Sequence, residues 1–321
     1  MPFALLIGLG AGAVSALLFA SASTGTLLGL IVLFFLTPLP VAIAGLGWGW
    51  HSAATAAVTS PILLSLLVAP RAAFFYLVAL GLPTVVLSYL ALLNRGSANG
   101  GPDKVEWYPI GRIVAVASLW AGGLACLALL TTATDIEGLR TALRETFERI
   151  FVQQIDASVT DGQIGENEIT AFTELMVASF AGAIATAWMA LATLNLWLAG
   201  LVTRASGLLI RPWPELSAIA LPRQMPIAFA AAIALSFLPG YAGLIASGFA
   251  SAFLFAFLLV GLAILHSVTR GMGARGLILG AVYASLIFLN PFSGLAVATI
   301  GLAEPISPLK RKRPPLPPTT I

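Results

Sequence analysis

From Met1 to Pro70 the chain carries no Asp, Glu, Lys or Arg, and its few polar residues are nearly all Ser and Thr set in runs of Ala, Leu and Gly. These runs are apolar all round, with neither the alternation of a barrel strand nor the polar face of a soluble helix. Backbone groups in lipid must be satisfied within their own segment, so the runs predict transmembrane helices. About 20 residues cross a hydrocarbon core, and four such spans fit before the first cluster of charge: 3–21, 26–46, 52–68 and 72–93. Pro38 and Pro40 fall in or at the end of the second span, Pro61 in the third and Pro83 in the fourth. Each removes a backbone donor and bends its helix, and broken backbone at that depth is tolerated where it lines a cavity or is buried in protein.

Farther along, the pattern changes twice. A loop with turn chemistry over 94–109 precedes a fifth span, 110–132, and beyond it comes the one extended polar stretch. Nine of the 13 acidic residues lie there: Asp135, Glu137, Glu145, Glu148, Asp156, Asp161, Glu166, Glu168 and Glu174. Within it Ile136, Leu139, Leu143, Phe147, Ile150 and Phe151 recur at steps of three and four, which predicts an amphipathic helix. It either lies on the membrane surface or docks against the bundle. Arg144 with Glu148 and Glu145 with Arg149 form i,i+4 pairs on its polar side. Span six, 171–202, is long enough to tilt or project. Residues 226–238 and 241–266 make two crossings or one crossing and a half-helix. The last apolar region, 276–303, is interrupted at Asn290-Pro291 and reads as a re-entrant hairpin or a single kinked span.

The expected fold is therefore all-α, a polytopic bundle of about eight to ten membrane segments with one extramembrane amphipathic helix. Its segments are a four-helix block (1–93), a loop (94–109), two spans flanking an acidic excursion (110–203, with the excursion at 135–168), a basic linker (204–224), a C-terminal block (225–305) and a basic, Pro-rich tail (306–321). The bulk composition agrees, with 59% hydrophobic and 9% charged residues over 321 positions. Ala20-Ser21-Ala22 looks like a cleavage site, but no basic n-region precedes it, and an uncleaved first span is expected. Basic residues gather at Arg95 to Arg112, Arg204 to Arg223, Arg270 to Arg275 and Lys310, Arg311, Lys312 and Arg313, which predicts that those segments, and with them both termini, are cytoplasmic. The tail's basic cluster is expected to sit on anionic lipid.

Candidate chemistry is sparse. Gly8, Gly12, Ala16 and Ala20 share one face of the first span at steps of four, a spacing that lets two helix backbones approach closely, within the chain or with a partner. Trp48, Trp50 and His51 form an aromatic patch between spans two and three, either an interfacial anchor or a ligand-stacking site. Asn195 is the clearest polar residue deep in a span, helix-to-helix glue or a transport contact. His51 and His266 have no acidic partner at ligand spacing, and the calcium-loop comparison over 156–167 fails at Asp161 and Asn167, so no metal is expected. No Walker loop, HExxH, GxSxG or CxxC is present. No enzyme activity, cofactor or nucleic-acid partner is expected. The single cysteine, Cys126, excludes an internal disulfide.

The run Gly8-xxx-Gly12-xxx-Ala16-xxx-Ala20 followed by residues 37–49, TPLPVAIAGLGWG, resembles the YybS-like family of bacterial polytopic membrane proteins. Leu221-Pro222-Arg223 and residues 261–266, GLAILH, are similar to that family's C-terminal half. The first four spans also resemble the substrate-binding S subunits of energy-coupling-factor transporters, which implies that Ala16 and Ala20 contact a transmembrane coupling subunit. The chain departs from that pattern in its length, its acidic excursion and its extra C-terminal spans. These resemblances imply a protein of the bacterial inner membrane that binds a small molecule or a membrane partner without covalent chemistry. The competing class is a scaffold or regulator recruiting envelope-assembly proteins through the surface helix and basic tail.

Overall fold

The computed structural model describes residues 2–22, 27–96, 105–154, 166–215, 219–289 and 291–304. Its helices are α1 (Pro2–Ala22), α2 (Leu27–Leu36), α3 (Leu39–Trp48), α4 (Trp50–Leu67), α5 (Pro70–Tyr76), α6 (Leu82–Leu92), α7 (Ile110–Thr132), α8 (Ile136–Gln154), α9 (Glu166–Ala205), α10 (Met225–Ser236), α11 (Tyr241–Val268), α12 (Arg275–Phe288) and α13 (Phe292–Ala303). Among the described residues, seven helical stretches are long and apolar enough to cross a membrane, and α10, α12 and α13 are shorter apolar helices. The expected eight to ten segments are thus seven full-length spans with three short helices beside them. The basic cluster at Lys310 to Arg313 and most of the 156–167 stretch lie outside the described residues.

Prolines act differently according to their neighbours. The second span is two helices, not one bent helix: α2 ends at Leu36, α3 begins at Leu39, and Thr37-Pro38 forms the turn between them. Pro38 and Pro40 together delete the donors that the Phe34 and Leu36 carbonyls would have used, and Phe34 instead accepts from the Thr37 N–H at 3.2 Å. Pro61, alone, sits within a continuous α4. Ahead of Pro83 the chain widens into a π-helical turn, Leu77–Gly81, which joins α5 to α6.

The chain divides into two compact units. The first contains 1–117, 189–223 and 256–321. Its tightest seam is between α1 and α4. A Cβ on Gly8 would lie 2.6 Å from the Ser52 carbonyl oxygen, and one on Gly12 would lie 2.7 Å from that of Ala56. Hydroxyls staple the seam, Ser52 to the Ala4 carbonyl at 2.8 Å and Ser60 to that of Gly12 at 2.9 Å. Lipid offers no hydrophobic drive between helices, so close van der Waals contact and such bonds hold the block. α3 passes into α4 through Gly49 alone, at φ 96°, a left-handed conformation that glycine adopts freely. In the same unit α13 runs antiparallel against α11: Gly301 meets the Phe257 backbone and Gly261 meets that of Val297.

The charged end of this unit is built from its connections. The expected 94–109 loop contains a short antiparallel hairpin, β1 (Asn94–Gly96) with β2 (Val105–Trp107), and the directly opposed Arg95 and Glu106 pair at 2.9 Å. The Arg95 guanidinium holds the exposed Glu106 carboxyl below its usual range. After α9, a turn at Gly207 sends the chain across the helix ends: Ile210 N–H donates to the Leu46 carbonyl and the Arg211 guanidinium to that of Ala91 at 3.2 Å. Arg211 lies over Trp107, Arg204 over Trp213, and Arg270 pairs with Glu215 at 3.0 Å.

The second unit contains 118–188 and 224–255. Small residues again set the spacing: Gly122 faces the Phe249 ring, Gly182 faces Ser251, and Gly248 sits against Ala125 and Ala181. The amphipathic helix is α8, capped by the Asp135 carboxylate on the Gly138 N–H. Leu139 and Leu143 of its stripe are buried, while the side chains of Phe147, Ile150 and Phe151, and the Arg144–Glu148 and Glu145–Arg149 pairs, fall partly or wholly outside the described residues. Arg140 clamps the helix, bonding Glu137 on its own turn and reaching Glu174 on α9 with two nitrogens. α8 is therefore docked onto its neighbour. α9 is 40 residues long, about 60 Å at 1.5 Å per residue, and its acidic first turns carry that dock beyond the length a bilayer core needs.

Candidate functional site

The break in the second span is where the first unit concentrates its buried polarity. Ser15, one residue before Ala16 on α1, is fully buried, and its Oγ donates to the Thr37 carbonyl at 2.6 Å. The same oxygen lies 2.7 Å from the hydroxyl of Tyr76, the largest fully buried side chain, at the foot of the π-helical turn. Ser60 of α4 bonds the Gly12 and Ala56 carbonyls. Thr37 Oγ1 turns back to the Leu33 carbonyl at 2.9 Å. From α9, Asn195 Nδ2 donates to the Phe35 carbonyl at 2.6 Å and to Leu191 of its own helix at 2.7 Å. Side chains of α1 and α9 thus bond the backbone around Pro38, and Tyr76 backs Ser15. Phe19 closes the apolar side, edge-on to Tyr76 at 5.8 Å between ring centroids.

The sequence candidates distribute around this site unevenly. Asn195 belongs to it. Gly8, Gly12 and Ala16 are buried, with Gly8 and Gly12 against α4, and Ala20 is half-buried, so this face is spent within the chain. Trp50 is exposed, stacks on His51 at 3.8 Å and meets Tyr89 edge-on at 5.7 Å. Trp50 begins α4 ten residues before Ser60, about 15 Å away along the helix, so the aromatic patch and the polar break are separate places. Trp48 is half-buried at the end of α3. His266 Nδ1 contacts the Leu262 carbonyl and the ring meets Tyr283 of α12. Among the described residues no group of three or more His, Cys, Asp or Glu is placed to hold a metal.

Ser15, Thr37, Ser60 and Tyr76 were not singled out by the sequence reading. One signal does mark them: Ser15 lies beside the Gly8/Gly12/Ala16 stripe, and Thr37 immediately precedes the only doubled proline of the first four spans. No residue here is an activated nucleophile beside a base, since the cluster contains hydroxyls and an amide but no imidazole, thiol or carboxylate. What the arrangement can do is hold a polar group at membrane depth.

These spans and this buried polar break define a polytopic helical membrane protein. The chain belongs to the family described as Predicted membrane protein (DUF2232), which matches residues 13–304. Neither the curated proteins nor the solved structures offer a match to the chain.

Proposed function

We propose that the protein is a transporter-like binder of a small molecule, seated at the Thr37–Pro38 break and acting without covalent chemistry. The observation that carries this reading is the buried polar cluster at a helix interrupted in mid-span, where Ser15 and Asn195 bond the backbone of the break and Tyr76 lies against Ser15. Transporters use discontinuous helices for substrate because freed backbone groups and helix ends supply polarity where lipid allows none. The resemblance of the first four spans to energy-coupling-factor S subunits agrees with it. A coupling subunit on the Gly8/Gly12/Ala16 face is no part of the proposal, because α4 occupies that face. The basic linker residues Arg204 and Arg211 support an inner-membrane orientation with this end, and both termini, in the cytoplasm.

Thermal unfolding of the full chain in nanodiscs against water-soluble vitamins and amino acids tests the reading. At least one compound raises the wild-type melting temperature saturably, the Ser15→Ala/Tyr76→Phe double variant loses that response, and Trp50→Ala keeps it. A panel that shifts nothing, or a shift that survives the double variant, contradicts the proposal.

A further inference from the structure

The side-chain donors and acceptors around the break do not balance, and the imbalance points to the ligand's charge. Asn195 is 2% exposed, and both partners of its amide nitrogen are carbonyl oxygens, so both contacts require N–H. That fixes the amide's orientation, with Oδ1 on the opposite side. This Oδ1 is fully buried beside the broken backbone and has no hydrogen-bond partner. A buried acceptor in that state points to something that binds there. Among the described residues, the other buried side-chain atom without a partner, Ser88 Oγ, sits against Gly45, about two turns along α3 from the break.

Every side-chain proton in the cluster is already committed. Ser15 gives its proton to the Thr37 carbonyl, Tyr76 gives its own to the Ser15 oxygen, Thr37 bonds Leu33, and Ser60 bonds Gly12 and Ala56. The backbone adds to the surplus of acceptors. α2 brings its C-terminal carbonyls to the break, and the Leu36 carbonyl would take its helical donor from position 40, a proline. The facing N-terminus of α3 loses two of its free N–H groups to Pro38 and Pro40 and keeps those of Leu39 and Val41. With its side-chain donors committed, a buried amide oxygen unpartnered and the carbonyl end of α2 beside it, the side of the break that faces Asn195 favours a ligand group that donates protons or carries positive charge.

We propose that the break binds a monocation, an alkali ion or the primary ammonium group of an organic solute, on Asn195 Oδ1 and the carbonyls at the end of α2. The inference rests on the reading that the break is the binding site and deepens it by naming the ligand's charge. The test is thermal unfolding of the full chain in nanodiscs with Na+, K+ or methylammonium, each exchanged for choline at constant chloride. Choline is bulky and has no N–H. A small cation raises the wild-type melting temperature saturably, and Asn195→Leu abolishes the rise. Asn195→Asp keeps an oxygen and adds charge, so it reaches half-saturation at a concentration at least tenfold lower. A response to Na+ or K+ assigns an alkali ion, and one to methylammonium alone assigns an organic solute. If no cation acts saturably on the wild type, or if Asn195→Asp gains nothing, a trapped water satisfies Oδ1 and the inference is overturned. A vitamin or amino-acid response that needs Ser15 and Tyr76, without any cation response, sinks this inference while leaving the binding site in place.

Discussion

Gly12→Leu destabilises the protein by about 3 kcal/mol, at the top of the usual range for overpacking, whereas Gly10→Leu stays within about 0.5 kcal/mol of the wild type. The two glycines are two residues apart on α1, but Gly12 is buried against α4 and Gly10 is exposed. A Cβ at Gly12 would lie 2.7 Å from the Ala56 carbonyl oxygen and from the Thr59 Cβ, and 3.1 Å from the Ala56 Cα. Two of these obstacles are backbone, which cannot rotate away, so α1 must withdraw from α4. That withdrawal also breaks the Ser60 bond to the Gly12 carbonyl. A Cβ at Gly10 would meet nothing within 4 Å. Unfolding in mixed micelles, followed by far-UV circular dichroism, measures the pair. Equal losses at both positions would mean that the small-residue face is not the seam.

Tyr76→Ala costs about 3 to 5 kcal/mol, the range for emptying a buried aromatic site, while Tyr76→Phe costs only about 0.6 to 1 kcal/mol, the worth of an interhelical hydrogen bond in a membrane protein. The phenol is fully buried and packed edge-on against Phe19, so most of its contribution is volume. Its hydroxyl lies 2.7 Å from Ser15 Oγ of α1. The same unfolding assay separates the two roles. Phe retaining stability while losing the ligand response marks the hydroxyl as part of the binding site. If Phe proves as damaging as Ala, the hydroxyl network instead holds the bundle together.

Much of the architecture was legible because lipid leaves few alternatives. The uncharged first seventy residues define the medium, and the apolar runs give α1, α4 and α7 to within two residues of their observed ends. The interruption at Asn290-Pro291 likewise separates α12 from α13. Prolines were harder to weigh singly. Pro61 leaves α4 whole and Pro38 divides its span, the difference being Pro40, which removes a second donor on the same stretch. The hairpin at 94–107 was missed because strands of three residues have no periodicity to read.

The candidate site was legible in one residue only. Asn195 stands out because an amide has no apolar reading in a span, but a serine or threonine hydroxyl does: it bonds the carbonyl one turn back, as Thr59 does to Thr55. Ser15 and Ser60 become distinctive only when α1 and α4 are brought together by Gly8 and Gly12. Tyr76 is read from sequence as one more aromatic near a span end. The glycines that dock α13 on α11 were visible as composition, not as contacts, since Gly261 and Gly301 lie 40 positions apart.

The central claim is that the buried break in the second span exchanges solute with water. Cysteine labelling in membrane vesicles tests it most directly, with Ser15→Cys and Leu17→Cys each made in a Cys126→Ser background and treated with 2-aminoethyl methanethiosulfonate, a small cationic reagent that reacts with the hydrated thiolate. Leu17 is exposed on the lipid face of the same helix. The account predicts slow but complete labelling at position 15 and none at position 17. Position 15 remaining as inert as position 17 would show a sealed structural knot, and would contradict the claim.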